Sequence, residues 1–236
     1  MQEGRIVAGI KVELHCHTRL LGRQPWSRQW LIGICRRARQ LGLDRLAITE
    51  HADIPGFWDV FSFLDDNGWR WQDLQLLAGC EITVAEAADI LVLGTPADLL
   101  DLKSCLGSWP SGHDHRPPLE DLLGAANNLG MLTVGAHPFR PGRQLAHLPE
   151  NLLRRLDALE INARELERSA AVADLARRLD LPLVGGSDAH IFWQVGRVIN
   201  LLPAGSRDMA VWRAAISRGE NHILVRQRNG YASLSI

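Results

Sequence analysis

The sequence predicts an α/β fold, a barrel of parallel strands with covering helices, and three observations predict it. Strand-like and helix-like segments alternate along most of the chain. About seven or eight such units fit into 236 residues, an ordinary length for one barrel domain, so a single domain over residues 1–236 is expected. Side chains able to ligate metals recur where the strand-like segments end, and in a parallel barrel those ends share one rim.

Residues 12–17 form the first strand. Strand alternation aims His15 and His17 to one side and Cys16 to the other. An arginine- and glycine-rich loop over 18–25 follows, with Arg19 and Arg23 available to an anion. Residues 27–41 carry apolar side chains at 30, 31, 34, 35, 38 and 41, an amphipathic helix with Ser27 as N-cap and Gly42 as its stop. Residues 43–49 are a buried strand running into Glu50 and His51. Residues 52–72 hold Phe57, Trp58, Phe61, Phe63, Trp69 and Trp71. Core packing explains these rings better than a base-stacking platform, because Asp59, Asp65 and Asp66 surround them with negative charge.

Residues 75–84 make a third strand that ends in Gly79-Cys80-Glu81, and 89–94 a fourth that Asp89 opens. A short helix over 96–106 leads to a loop over 107–118, punctuated by Gly and Pro, whose His113 and His115 read as solvated. A helix over 119–129, stopped by Gly130, precedes the strand 131–136 and His137. Beyond it the pattern predicts a helix at 149–156, a strand at 158–162, a long helix at 163–179 and strands at 183–187 and 196–201. Asp188 and His190 stand between those last two strands, and a final helix at 207–217 leads into a short tail.

Composition bounds the function. With 46% apolar and 22% charged residues the chain is ordinarily globular. A formal charge of −1 from 26 basic and 27 acidic residues argues against a broad surface for long duplex nucleic acid. No apolar run approaches the roughly 20 residues of a membrane span, and the N-terminus lacks the pattern of an export signal, so a cytoplasmic protein without a membrane partner is expected. The cysteines at 16, 35, 80 and 105 have no CxxC spacing and read as reduced, packed thiols.

His15, His17, His51, Glu81, His137, Asp188 and His190, joined by Asp89, offer nitrogen and oxygen donors without thiolate. That mixture suits a catalytic cluster of Zn²⁺, Mn²⁺ or Fe²⁺ rather than structural zinc. Neighbouring divalent ions suit phosphate-ester hydrolysis.

These residues carry a resemblance. His15-Cys16-His17, Ile48-Thr49-Glu50-His51, Gly79-Cys80-Glu81, Ala136-His137-Pro138 and Gly186-Ser187-Asp188-Ala189-His190 occur in the order of the motifs of the PHP family, the polymerase and histidinol phosphatase domain. The chain resembles that family over most of its length, which implies a distorted, seven-stranded (β/α) barrel, TIM-barrel-like, that binds two or three divalent metal ions and hydrolyses phosphoesters. By position, the resemblance gives one metal to His15, His17, Glu81 and Asp188, with Glu81 bridging to a second held by His137. A third falls to His51 and His190. Asp188 and Glu81, with Arg140, become the candidate catalytic residues.

Two departures stand out. Asp89 occupies a position where family members often have histidine, and the loop 18–24 offers Arg19 and Arg23 where they often have a histidine or aspartate ligand. The third metal is therefore expected to be held most weakly. Glu50 reads as a carboxylate that orients a histidine from behind. Arg140, three residues after His137, is the first candidate to pair with a phosphate, followed by Arg19, Arg23 and Arg197. The substrate class so implied is a small phosphorylated molecule, a nucleotide or a short oligonucleotide end. An amide or lactone hydrolase and a non-catalytic metal-binding module remain open alternatives, and the oligomeric state is not legible.

Overall fold

The computed structural model describes residues 9–19, 26–109, 115–204, 209–234 and 236. Its first third comprises β1 (Gly9–Glu13), α1 (Arg28–Gln40), β2 (Arg45–Ile48), α2 (Phe57–Asp66), β3 (Arg70–Trp71) and β4 (Leu74–Thr83). Then come β5 (Asp89–Gly94), α3 (Pro96–Cys105), α4 (Leu119–Asn128), β6 (Leu132–Gly135), α5 (Glu150–Leu153) and β7 (Ala158–Asn162). The last third holds α6 (Ser169–Leu179), β8 (Leu183–Gly186), β9 (Val198–Pro203), α7 (Met209–Ser217), β10 (His222–Gln227) and β11 (Gly230–Ser233).

These strands form one curled sheet of order β11-β10-β9-β1-β2-β4-β5-β6-β7-β8, with β3 paired to β4 off that path. The fold is mixed α/β with a barrel-like sheet, as expected, but it is not all parallel. The stretches β1-β2-β4 and β6-β7-β8 are parallel, and β5 runs antiparallel to both of its neighbours. The reason is local. Only residues 84–88 separate β4 from β5, and a parallel crossover needs about a dozen residues. Reversal brings the first residue of β5, Asp89, to the same rim as the carboxyl ends of the parallel strands.

The curled sheet meets itself along a seam. At the rim, Cys16 and Ala189 form a parallel bridge, and His17 N donates to Ala189 O at 2.8 Å. Lower down, the buried Asn200 amide of β9 accepts from Gly185 N at 2.8 Å and donates to Gly185 O at 2.7 Å. Ser187 Oγ donates to Val198 O and accepts from Val198 N, both at 3.1 Å. Side chains thus take the place of a backbone ladder. Close approach is possible because β8 ends in Gly185-Gly186: a Cβ on Gly185 would stand 2.7 Å from Val198, and one on Gly186 only 2.0 Å from Glu160 Oε1.

The inside of the curl is packed with Val12, Leu14, Ala47, Leu77, Leu91, Leu93, Val134 and Val184, and α7 adds Trp212 and Ile216. Helix α7 lies at the end opposite the rim, where Arg45, the first residue of β2, stands over the Trp212 ring and Arg213 pairs with Asp157 just before β7. A second apolar layer joins the outer sheet face to the helices. In it α1 buries Leu31, Ile34, Cys35 and Ala38, the face the sequence spacing picks out.

Several expectations are corrected. The helix expected over 149–156 is α5, four residues long, and the one expected over 163–179 begins at Ser169 after a 3₁₀ turn at Leu166–Arg168. The tail is the hairpin β10-β11, which continues the sheet beyond β9; the signal for it, Asn229-Gly230 between two apolar runs, is in the sequence. Cys105 is exposed, whereas the thiols at 16, 35 and 80 are buried and unpaired. As expected, rings of residues 52–72 pack on one another, with Trp58 5.1 Å and Trp69 5.4 Å from Phe61, and Trp109 joins them 4.8 Å from Trp58. No helix among the described residues is long and apolar enough to cross a membrane.

Candidate metal centre

Alternation past the end of β1 turns His15 and His17 toward the rim centre while Cys16 joins the outer layer. Both histidines are fully buried, and each is held from behind by a carboxylate. His15 Nδ1 lies 2.7 Å from Glu160 Oε1, and His17 Nδ1 lies 3.3 Å from Glu50 Oε1. A carboxylate at Nδ1 fixes the tautomer and leaves Nε2 free to ligate. The two Nε2 atoms converge to 3.1 Å.

Around that point, His17 Nε2 lies 3.3 Å from Asp188 Oδ1 and 3.4 Å from Glu81 Oε2. Glu81 reaches on to His137 Nε2 at 2.8 Å and to His51 Nδ1 at 3.0 Å. It sits two residues before the end of β4, rather than closing the strand as expected. Asp89 Oδ2 is 3.7 Å from His137 Nε2, and its other oxygen accepts from Thr83 Oγ1 at 2.6 Å. The rings of His51 and His190 flank His17, with centroids 4.4 and 4.2 Å away.

The ligand atoms fall into three groups, each drawn within 4.8 Å: His15, His17 and Asp188; Glu81, Asp89 and His137; and His17, His51 and His190. The donors fit divalent transition ions, being imidazole and carboxylate without thiolate. Buried Glu81 Oε2 and Asp188 Oδ1 accept no hydrogen bond, which a cation at these groups would satisfy. Two of the six described non-glycine residues with positive φ are here. Asp188 has φ +47 and His137 has φ +31, although non-glycine residues rarely adopt positive φ and a residue before proline favours extended backbone.

Electrostatics follow from burial and charge. Burial would raise Asp188, but His15 and His17 beside it hold its carboxyl well below the ordinary range. Burial would lower His17, yet Asp188 and Glu50 hold it up at about 9. A cation at His15 and His17 must therefore displace protons, and its affinity falls with pH. His190 is pulled down to about 4, first by burial and then by His17, and burial also lowers His51. Both are the neutral, ligating form near neutral pH.

The arginines divide. Arg140 lies at the rim, as expected, with Nη2 2.7 Å from Asp188 Oδ2 and Nε 3.0 Å from Glu165 Oε1. Arg19 does not. Its side chain is 2% exposed, with Nη2 on Pro55 O at 2.9 Å and Nε 3.8 Å from Glu50, so it stands behind His17 and away from any substrate. Arg197 is exposed ahead of β9, its carbonyl accepting from Arg226 N, and is not among the ligand atoms. Arg23 and His113 lie outside the described residues, and His115 is exposed.

Sequence reasoning missed Glu160, Glu13, Arg143 and Arg164. Arg143 pairs with Asp89, and Arg164 Nη1 reaches within 3.5 Å of Asp188 Oδ2. Glu13 and Glu160 had a signal: each is a lone carboxylate within a buried apolar strand.

Residues 169–221 match the PHP_C family model, described as PHP-associated. PsfC from Pseudomonas syringae has a similar structure, 26% identical with TM-score 0.75, over 93% of this chain and 92% of that one. PfuEndoQ from Pyrococcus furiosus, a lesion-specific endonuclease, is 19% identical with TM-score 0.69; 92% of this chain aligns, spanning 58% of that protein. Endonuclease Q has also been captured with a 27-mer duplex bearing an abasic lesion at its active site. A proposed metal-dependent phosphoesterase from Bifidobacterium adolescentis is 21% identical with TM-score 0.51, over 76% of this chain and 87% of that one. No curated protein sequence matches. The PHP-associated segment contains Asp188 and His190, and the fold around it is shared almost end to end with PsfC, so the chain is similar to PHP-domain proteins.

Proposed function

We propose that this protein is a metal-dependent phosphoesterase acting on a small phosphorylated molecule, a nucleotide or a short oligonucleotide end. The observation that carries the reading is the joining of three ligand groups through His17, Glu81 and Asp188 on one rim bordered by Arg140, Arg143 and Arg164. His15, His17, Glu81 and Asp188 would hold one ion, Glu81, Asp89 and His137 a second, and His51 and His190 with His17 a third. Zn²⁺, Mn²⁺ or Fe²⁺ suits these donors. The chemistry such ions supply is Lewis acidity toward phosphoryl oxygens and acidification of water near neutral pH.

The chain's own groups do the rest. Glu160 and Glu50 hold the tautomers of His15 and His17. Arg140 and Arg164, now turned to Asp188, bring positive charge to where a phosphate meets the cluster. A guanidinium fork pairs with phosphoryl oxygens and opposes the charge that develops on them. The long duplex of endonuclease Q is not carried over, because this chain spans just over half of the Pyrococcus protein and has no net positive charge.

The test is phosphate release from a panel of monoesters and nucleotides by the protein loaded with Mn²⁺ or Zn²⁺, beside an amide and lactone panel. Phosphate release is expected, and Asp188→Ala should abolish it, lower metal content on elemental analysis and leave far-UV circular dichroism unchanged. Turnover on the amide or lactone panel alone would overturn the reading, as would wild-type turnover in Asp188→Ala.

A further inference from the structure

Two rings beside the rim have no role in the core. Among the described residues five large apolar side chains are exposed, and the two aromatic ones, Phe192 at 41% and Trp193 at 56%, are adjacent. They follow His190 by two and three positions, whereas the other three, Leu100, Val211 and Ile236, lie on α3, on α7 and at the carboxyl end.

The segment that carries them is built rather than loose. Gln194 Oε1 accepts from His190 N at 2.9 Å and from Ile191 N at 3.3 Å. Arg226 of β10 donates to Val195 O at 2.7 Å and Trp193 O at 2.8 Å, and Trp30 Nε1 donates to His190 O at 3.2 Å. Phe192 rests edge-on against Trp30 at 5.8 Å and meets Trp193 at 4.8 Å and 85°. Fixing two rings in water against their tendency to be buried, one loop turn from a metal-ligating histidine, suits a ligand with a flat apolar face.

We propose that Phe192 and Trp193 form a shelf on which the base of a nucleotide stacks while its phosphate lies at the metal and arginine cluster. The inference rests on the phosphoesterase reading and narrows its substrate to nucleotides. Asp188 has Arg140 and Arg164 as cationic neighbours, and the segment bearing the two rings follows it directly and is tied to His190 through Trp30, so charge and aromatic surface stand on one short stretch of chain. An anionic group joined to a planar heterocycle complements that pairing. Two rings offer too little area for a stable protein interface.

The experiment is calorimetric binding to the full chain with Mn²⁺, using adenosine 5′-monophosphate and glycerol phosphate, with phosphate release measured on the same samples. Trp193→Ala should weaken binding of the nucleotide about tenfold or more, Trp193→Phe should restore most of it, and glycerol phosphate affinity should stay within error. Equal losses for both ligands, or unchanged nucleotide binding in Trp193→Ala, would overturn the shelf. Weaker self-association of Trp193→Ala on sedimentation, with nucleotide binding unchanged, would assign the rings to a contact between copies and also overturn it. Binding that depends on Trp193 without phosphate release from either ligand would uphold the shelf and sink the phosphoesterase reading. Phosphate release indifferent to Trp193 would do the reverse.

Discussion

Glu13 has no exposed surface, and its carboxylate accepts the N–H groups of His15 and Ser187 on one oxygen and of Gly196 on the other. One side chain thereby ties β1, the end of β8 and the approach to β9 together beneath the ligands. Burial pushes its carboxyl up to about 7, against the pull of those hydrogen bonds. A group whose folded value is raised contributes stability that is complete below its unfolded value, near 4.5, and is lost as pH rises through about 7. In the metal-free protein, the stability difference between wild type and Glu13→Gln should therefore change by a few kcal/mol across that window, to the disadvantage of wild type as pH rises. Urea unfolding at a series of pH values measures it, and a difference independent of pH would show that Glu13 does not titrate there. The spacing of His15 and His17 was enough to read them from the sequence. Glu160 was not, because it stands 145 residues from the imidazole it holds.

Among the elements, the seam between β8 and β9 is the one most exposed to a single change. Asn200 is fully buried and satisfies both backbone groups of Gly185. Asn200→Ala leaves an N–H and a C=O unpaired in a dry place, at about 1–3 kcal/mol each. A loss of about 2–5 kcal/mol in chemical denaturation is expected, and Asn200→Asp should not recover it, since it lacks the donor and buries a charge. A loss below about 1 kcal/mol would mean that water or backbone closes the seam instead. The helix α1 and the strand β7 were legible because their patterns are local: 3.6-residue spacing in one, a short apolar run in the other. The direction of β5 depended on the length of its connection, and the hairpin β10-β11 on a turn signal read as tail.

For the whole molecule, the three ligand groups predict an order of metal loss. The group of His17, His51 and His190 has no carboxylate, and the His51 and His190 side chains are 25% and 20% exposed, while Glu81, Asp89, His137, His15 and Asp188 are buried. Lacking a carboxylate of its own, since Glu81 and Asp188 nearby belong to the other two groups, that position binds a dication least strongly, a different cause from the arginine expected in the loop, because Arg19 faces Glu50. Dialysis against increasing chelator with elemental analysis should release one ion first, and His190→Ala should remove that ion alone. Three ions leaving together would refute the order. Refilling the sites should raise the melting temperature, because the ions bind the folded chain and not the unfolded one.

By itself the sequence indicated the α/β class and the strand ends at which imidazole and carboxylate candidates stand, since each follows from spacing along a few residues. Arg140 was also placed at the rim by its distance from His137. Tertiary structure decided what depends on distant partners. It brought Asp89 to the rim by reversing β5, set Glu50 behind His17 and Glu160 behind His15, turned Arg19 inward, and closed the sheet through Asn200. It also left Phe192 and Trp193 exposed two and three residues after His190. Local patterns report the period of one element. Which carboxylate meets which imidazole is set by sheet order and by the close approach that Gly185 and Gly186 permit, and neither is encoded in any short stretch of the chain.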